Sequence, residues 1–183
     1  MDDYHEKLYG QIRESYGKVV YTYMTHIEMA NLLMKKNRCL KTIQIILSSI
    51  STVGFLADVI TNQVLLTWLA GISAALSLAL NLYSKERNLT DEIRSNTETS
   101  NKLWIIREDY LSLLTDFPIL TDEDIRRKRD LLETSVSEIY NNAPMTNGKA
   151  YALAQSDLKS KEYQFFSPDE IDNMLPERLH ISK

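Results

Sequence analysis

The side chains that could catalyse a reaction are few and scattered. The three histidines, His5, His26 and His180, lie far apart along the chain. His26 begins a His-x-Glu sequence similar to that of zinc deaminases, but the Cys pair of such sites has no counterpart, because Cys39 is the one cysteine. With five glycines in all, a phosphate-binding loop is not expected. We therefore expect no enzymatic activity, no cofactor and no metal.

The most regularly spaced polar and small residues lie within two apolar runs. In each run they follow a four-three repeat, which places them on one face of a helix. The first-span stripe consists of Gln44, Ser48, Ser51, Phe55 and Asp58. The second-span stripe consists of Gln63, Thr67, Ala70, Ala74, Ser77 and Asn81, and it continues to Ser84.

Two interpretations of these stripes are open. Small and hydroxyl-bearing residues allow close approach and hydrogen bonds between helices, so the stripes could pack on each other within one hairpin. Alternatively, several hairpins assemble and turn part of the stripes toward a central pore, with Phe55 as its hydrophobic constriction. The stripe residues are thus candidates for pore lining or for helix packing.

The two apolar runs are long enough to cross a membrane. Residues 42–84 contain a single charge, Asp58, and divide into runs of about 42–60 and 63–83. A hydrocarbon core about 30 Å thick needs roughly 20 apolar residues. A buried hairpin in a soluble domain is the alternative, but the second run lacks the charges of an outward face. The sequence predicts a two-span transmembrane helical hairpin in a lipid bilayer.

The positions of the basic residues predict the orientation of this hairpin. The tip that connects the two runs has no basic residue. Six basic residues flank the ends of the hairpin away from the tip: Lys35, Lys36, Arg38, Lys41, Lys85 and Arg87. The positive-inside rule then places both termini in the cytoplasm. The net charge of −4 gives no uniform basic surface, so direct nucleic-acid binding is not expected. One unpaired cysteine fits a reducing compartment.

The flanking segments predict further helices, so the predicted fold class is all-α. Residues 1–41 form a cytoplasmic amphipathic helix that can continue into the first span, with apolar residues at every third or fourth position. After the hairpin at 42–84, residues 85–183 form a cytoplasmic helical region. The apolar stripe on the first of these helices consists of Tyr4, Leu8, Ile12, Tyr16, Val19, Tyr23, Ile27, Ala30 and Met34.

Prolines and helix-capping residues divide residues 85–183 into separate helices. Residues 85–117 lack Pro and Gly, but residues 94–101 are wholly polar, which indicates either a solvated linker or a helical segment lining water. Pro118 ends this helix. Thr121 caps a helix to about Asn141, residues 149–162 form another, and Ser167-Pro168-Asp169-Glu170 is a capping box that opens a short helix before Pro176.

Several short phrases flank the hairpin in a fixed order. They are Val-Val-Tyr-Thr-Tyr at 19–23, Leu-Trp-Ile-Ile-Arg-Glu-Asp-Tyr-Leu-Ser-Leu-Leu-Thr-Asp at 103–116, Ile-Tyr-Asn-Asn-Ala-Pro at 139–144, Lys-Ala-Tyr at 149–151, Ser-Pro-Asp-Glu-Ile-Asp at 167–172 and Leu-Pro at 175–176. Over nearly the whole chain, this order resembles the SLATT family, the two-transmembrane effectors associated with SMODS and SLOG proteins. The fifth subfamily is the most similar.

The resemblance implies an effector of bacterial anti-phage or conflict systems in the inner membrane. Such an effector is expected to form a homo-oligomer and to open a pore or disrupt the membrane on a nucleotide or partner signal. The implied companion is a nucleotidyltransferase or, for the fifth subfamily, a reverse transcriptase system. The alternative function is a non-conducting, membrane-anchored scaffold or sensor subunit that recruits a soluble partner.

Overall fold

The computed structural model describes residues 3–61, 63–160, 167–176 and 180, and these residues are helical with no strand. The prediction of an all-α protein is confirmed for this part of the chain. A short 3₁₀ turn, Phe117–Ile119, separates the third and fourth helices. The helices are α1 (Asp3–Thr61), α2 (Val64–Arg87), α3 (Leu89–Asp116), α4 (Asp122–Asn142), α5 (Gly148–Ser160) and α6 (Pro168–Met174).

Helix α1 is a single helix of 59 residues. At about 1.5 Å per residue it is almost 90 Å long. It contains no proline, and its glycines at 10, 17 and 54 leave the backbone helical. The expectation that the amphipathic N-terminal helix continues into the first apolar run is therefore confirmed.

The last third of α1 and the whole of α2 form what we call the apolar pair, residues 42–61 and 64–87. The two helices run antiparallel, because Gln44 Nε2 donates to Ser84 Oγ at 3.3 Å and the Ser48 and Ser77 hydroxyls lie 3.1 Å apart. Two helices of the described chain are long and apolar enough to cross a membrane, as the sequence predicted. The side chains of Asp58 and Thr61, and all of Asn62, lie outside the described part.

The first two thirds of α1 pack with α3, α4 and α5 into what we call the polar bundle. Apolar side chains of α1 meet those of α3 and α4 in one core, and the Tyr9 and Phe117 rings make an edge contact at 4.9 Å. Burying each large apolar side chain contributes about 1.5–3 kcal/mol. The α1 residues of this core belong to the apolar stripe predicted on residues 4–34. The core consists of Leu8, Ile12, Val19, Leu103, Ile106, Tyr110, Leu113, Phe117 and Ile125.

Helices α2 and α3 are separated by one residue, Asn88, whose φ of 44° is left-handed. Asn is among the few residues other than Gly that adopt this conformation readily. Its backbone carbonyl accepts from the Asp91 and Glu92 amides at 3.0 and 3.2 Å, and its side chain donates to Asp91. Because residues 85–117 contain no Pro or Gly, the sequence gave no sign of this turn. The turn redirects the chain from the apolar pair along the polar bundle.

The predicted helix boundaries after the turn are largely confirmed. The Thr121 hydroxyl accepts from the Asp124 amide at 3.2 Å and caps α4. Ser167 and Glu170 form the complete capping box of α6, with Pro168 at its first position. Helix α5 begins at Gly148 and is described to Ser160, so the predicted end of this helix at 162 lies outside the described residues.

Candidate functional site

Part of each polar stripe lies between the two helices of the apolar pair. Ser77 is buried beside Ser48, Ala70 is buried, and Gln44 and Ser51 are half-buried. These residues are brought together, as the packing interpretation of the stripes requires.

One close approach within the apolar pair involves a residue outside both stripes. A Cβ atom added to Gly54 would lie 3.2 Å from the Ala70 Cβ and 3.5 Å from the Leu66 carbonyl oxygen. Ser73, one turn from Ala70, is also buried. Sequence reasoning missed both residues, although a glycine inside a span is a signal for close helix approach.

The remaining stripe residues point away from the contact. Thr67, Ala74 and Asn81 are exposed along α2, Gln63 is exposed just before it, and Phe55 is 60% exposed on α1. Asp58 lies in α1, but its side chain is outside the described part of the structure. The stripes are thus divided between an internal contact and an outer surface.

Polar residues on this outer surface line an open groove of about 650 Å³ along α1. The Ser49 and Thr52 hydroxyls donate to the Ile45 and Ser48 carbonyls at 2.8 and 2.9 Å, so their oxygens can still accept a bond from outside. The side-chain amide of Asn81 makes no hydrogen bond within the described residues. We call this the polar groove, lined by Lys41, Gln44, Ile45, Ser48, Ser49, Thr52, Val53 and Asn81.

Other exposed surface of the apolar pair is aliphatic. Leu65, Leu69, Ile72 and Leu76 are each at least half exposed on α2. Such a surface would be unfavourable in water and is typical of contact with lipid. The apolar pair therefore presents both a polar groove and a lipid-like surface.

The junction between α1 and α3 holds a buried polar layer, which corrects the interpretation of residues 94–101 as a solvated linker. Asn96, Thr99 and Ser100 are buried in helix α3. Other residues of the segment, such as Thr97 and Asn101, are exposed, so the alternative of a helical segment that lines water stays a prediction. His26 Nδ1 lies 2.8 Å from Asn96 Oδ1, and burial lowers the pKa of His26 although this hydrogen bond acts to raise it. Hydrogen bonds of His26 and Asn96, and of the Ser100 hydroxyl to the Thr97 carbonyl at 2.8 Å, make the layer specific for one helix register.

Comparison with known families finds one family that covers both the polar bundle and the apolar pair. The model of SMODS and SLOG-associating 2TM effector domain family 4 matches residues 8–170, which include both the polar bundle and the apolar pair. The chain belongs to this SLATT family. The family description and the two membrane-capable helices together indicate a membrane protein with two spans.

The comparison also corrects one expectation. The SLATT family matched is family 4, so the assignment to the fifth subfamily is wrong. The family is described as a two-transmembrane effector domain that associates with SMODS and SLOG. No curated protein and no solved structure matches the chain.

Proposed function

We propose that this SLATT protein is a pore-forming or membrane-disrupting effector of a bacterial anti-phage or conflict system. Copies assemble in the inner membrane with both termini in the cytoplasm. A signal delivered to the polar bundle, either a nucleotide or a companion protein, then opens a water path through the assembled spans.

The polar groove is the observation that supports this proposal. Hydrocarbon offers no hydrogen bonds, so an outward-facing amide such as Asn81 is more stable against water or another polar helix. One copy offers a single groove, and several copies are needed to enclose a path. The aliphatic surface at Ile72 and Leu76 remains available for lipid.

The groove and Phe55 together suggest where the path closes. The groove extends from Lys41 to Val53, which is about 18 Å along the helix and reaches the middle of a core about 30 Å thick. Phe55 lies one turn beyond Thr52 and is 60% exposed. A ring of such side chains would exclude water at that level.

Helix α1 supports the proposed route of activation. Residues 8–33 pack in the polar bundle, and residues 42–61 of the same unbroken helix carry most of the groove. Because a helix is stiff over this length, a rotation of α1 within the bundle would turn the groove with it. A signal on the cytoplasmic side therefore needs no separate linker to reach the spans.

The test is solute release from liposomes that contain the full chain with Phe55→Ser as the parent, because this change should open the path without a signal. Thr52→Leu and Asn81→Leu should each abolish most of the release, because they fill the groove with side chains that lipid tolerates. Leu76→Ile is the matched control on the lipid-like surface and should release solute as the parent does. Full release by both groove variants would contradict the proposal.

A non-conducting scaffold or sensor is the second candidate, and open clefts in the polar bundle favour it. One cleft of about 390 Å³ lies between α1 and α4, beside Tyr110 and Tyr140, and one of about 410 Å³ lies between α1 and α3, beside Trp104. Either could receive part of a soluble partner. This candidate predicts no release from any liposome, with binding of a companion protein as the function.

The family description supports the proposal of a companion system. Its description names SMODS and SLOG, which fits a companion nucleotidyltransferase system. The reverse transcriptase expectation depended on the fifth subfamily and loses its support with that correction.

A further inference from the structure

The end of the apolar pair next to the polar bundle carries a dense group of cations. Six basic residues lie within 35–41 and 85–87, and Glu86 is the one acidic residue in these segments. None of the six forms an ion pair within the described part of the chain, although exposed pairs occur elsewhere, as between Lys18 and Glu14. Their positive charge is therefore left for something outside the protein.

Two of these cations converge on one aromatic ring. Lys36 Nζ of α1 lies 3.3 Å from the Tyr83 hydroxyl and 5.7 Å from the ring centroid. The Arg87 guanidinium of α2 lies 6.0 Å from the same centroid. Lys36, Tyr83 and Arg87 are all exposed, so the two charges and the hydroxyl can be reached together from one side.

The position of this cluster fits a lipid better than a dissolved anion. Tyr83 is the last aromatic residue of the second span, at the depth where Tyr side chains meet lipid headgroups. Residues seven positions apart share a helix face, and Ile43 and Leu76 stand in that relation to Lys36 and Tyr83. Both are exposed, at 40% and 52%, and would lie beside the acyl chains below a bound headgroup.

We propose that Lys36, Tyr83 and Arg87 bind the phosphate group of an anionic lipid in the leaflet next to the polar bundle, which is the cytoplasmic leaflet in the proposed orientation. The two cations neutralise the phosphate diester, and the phenol hydroxyl donates a hydrogen bond to one of its oxygens. Because the cations come from different spans, one lipid would link α1 to α2 at the level where the polar bundle begins.

The experiment measures lipid retention by the full chain. The protein is exchanged into nanodiscs of phosphatidylcholine with a minor fraction of phosphatidylglycerol, and the phosphatidylglycerol that stays bound after release is counted by native mass spectrometry. The variant Lys36→Gln with Arg87→Gln should reduce retention about tenfold or more. Tyr83→Phe keeps the ring and loses the hydroxyl, so it should give a smaller loss.

The matched control is Lys35→Gln with Lys85→Gln, which removes two charges from the same segments but leaves the cluster intact. It should retain clearly more phosphatidylglycerol than the cluster variant, because both variants lose the same diffuse attraction and only one loses the cluster. An equal loss in both double variants would show only a diffuse positive surface and would overturn the site. A lipid-free sample in detergent distinguishes the sources: inorganic phosphate binding that needs Lys36 and Arg87 would overturn the lipid assignment. These readouts do not depend on pore formation.

Discussion

At the residue scale, the His26–Asn96 contact defines a proton position. Asn96 Nδ2 donates to the Glu92 carbonyl at 2.9 Å, which turns Oδ1 toward His26. His26 Nδ1 must therefore carry a hydrogen and donate it across the 2.8 Å contact. His26 is 3% exposed and Asn96 is 1% exposed, so neither group can be satisfied by bulk water.

Removing the acceptor should therefore destabilise the polar bundle. Asn96→Leu keeps a similar volume but leaves the His26 N–H unpaired, at a cost of about 1–3 kcal/mol. Asn101→Leu, an exposed position on the same helix, is the control and should cost little. Thermal unfolding followed by circular dichroism measures both. Equal midpoints for the two variants would show that the buried contact contributes nothing.

The burial of His26 makes the stability of the bundle dependent on pH. Burial lowers the pKa of His26 below the ordinary histidine value of about 6.5, so the folded protein binds this proton less tightly than the unfolded chain does. The stability is therefore fully present well above pH 6.5 and is lost as pH falls from there through the lowered pKa.

We expect a lower unfolding midpoint at pH 5.5 than at pH 7.5. His26→Asn keeps a hydrogen-bonding side chain but cannot titrate, so it should reduce this difference. Other groups also titrate in this range, and the comparison between parent and variant isolates the contribution of His26. An unchanged pH dependence in His26→Asn would contradict the assignment.

At the element scale, the separation of the two spans depends on Gly54. Any larger residue there must push against Ala70, whereas Gly71 has no other atom within 4 Å of an added Cβ. Gly54→Leu should thus cost about 1–3 kcal/mol through overpacking. Gly71→Leu should be tolerated, because Leu is favourable in lipid.

Thermal stability in detergent compares the two glycine variants directly. A cysteine cross-link between positions 48 and 77, in a variant with Cys39 replaced, reports whether the spans remain in contact. Cross-linking should fall for Gly54→Leu alone. If both glycine variants behave alike, the close approach at Ala70 does not hold the spans together.

The turn between α2 and α3 depends on the left-handed conformation of Asn88. Asn88→Gly should fold with nearly the parent stability, because Gly adopts this conformation without steric cost. Asn88→Val should lose about 1–2 kcal/mol or more. The unfolding midpoint of the two variants is the measurement. A Val variant as stable as the Gly variant would mean that the turn is not constrained.

Local signals predicted most of the elements, and the exceptions have physical reasons. Thr121 and Ser167 mark helix starts because their caps are formed by neighbours in sequence. Asn88 gave no such sign, since Asn is compatible with both a helix and a turn. The buried layer within residues 94–101 was not predicted, because the partner of Asn96, His26, is 70 residues away from it in sequence.

The sequence predicted which helix faces carry the candidate residues. It did not predict which of these residues pack between the helices and which stay exposed. A four-three repeat marks one side of a helix, and the arc it covers is wide enough to serve both a helix contact and an open groove. Which half of the arc packs inward depends on the rotation of each helix, which the close approach at Gly54 and Ala70 sets. That approach is a tertiary contact, and spacing along one helix does not encode it.

At the scale of the whole molecule, the account requires one orientation in the membrane. After replacement of Cys39 by Ser, an Asn62→Cys variant should react with an impermeant thiol reagent from outside the cell. A Lys183→Cys variant should react only after the membrane is made permeable. Outside labelling at 183 and none at 62 would reverse the orientation and place the polar bundle outside.

The central claim is that assembled spans enclose a water path that Phe55 closes. Phe55→Ser removes the apolar ring at the end of the groove and adds a hydroxyl, so water should no longer be excluded there. Loss of activity in other variants can result from broken packing, so the gain of leak at Phe55 is the decisive result. Leu69→Ile, on the lipid-like surface, is the matched control.

Dye release from liposomes without any added signal is therefore the most direct measurement. The account predicts that Phe55→Ser leaks well above the parent and that Leu69→Ile leaks as the parent does. Equal leakage of all three would contradict a closed path at Phe55, and together with full activity of the groove variants it would favour the scaffold.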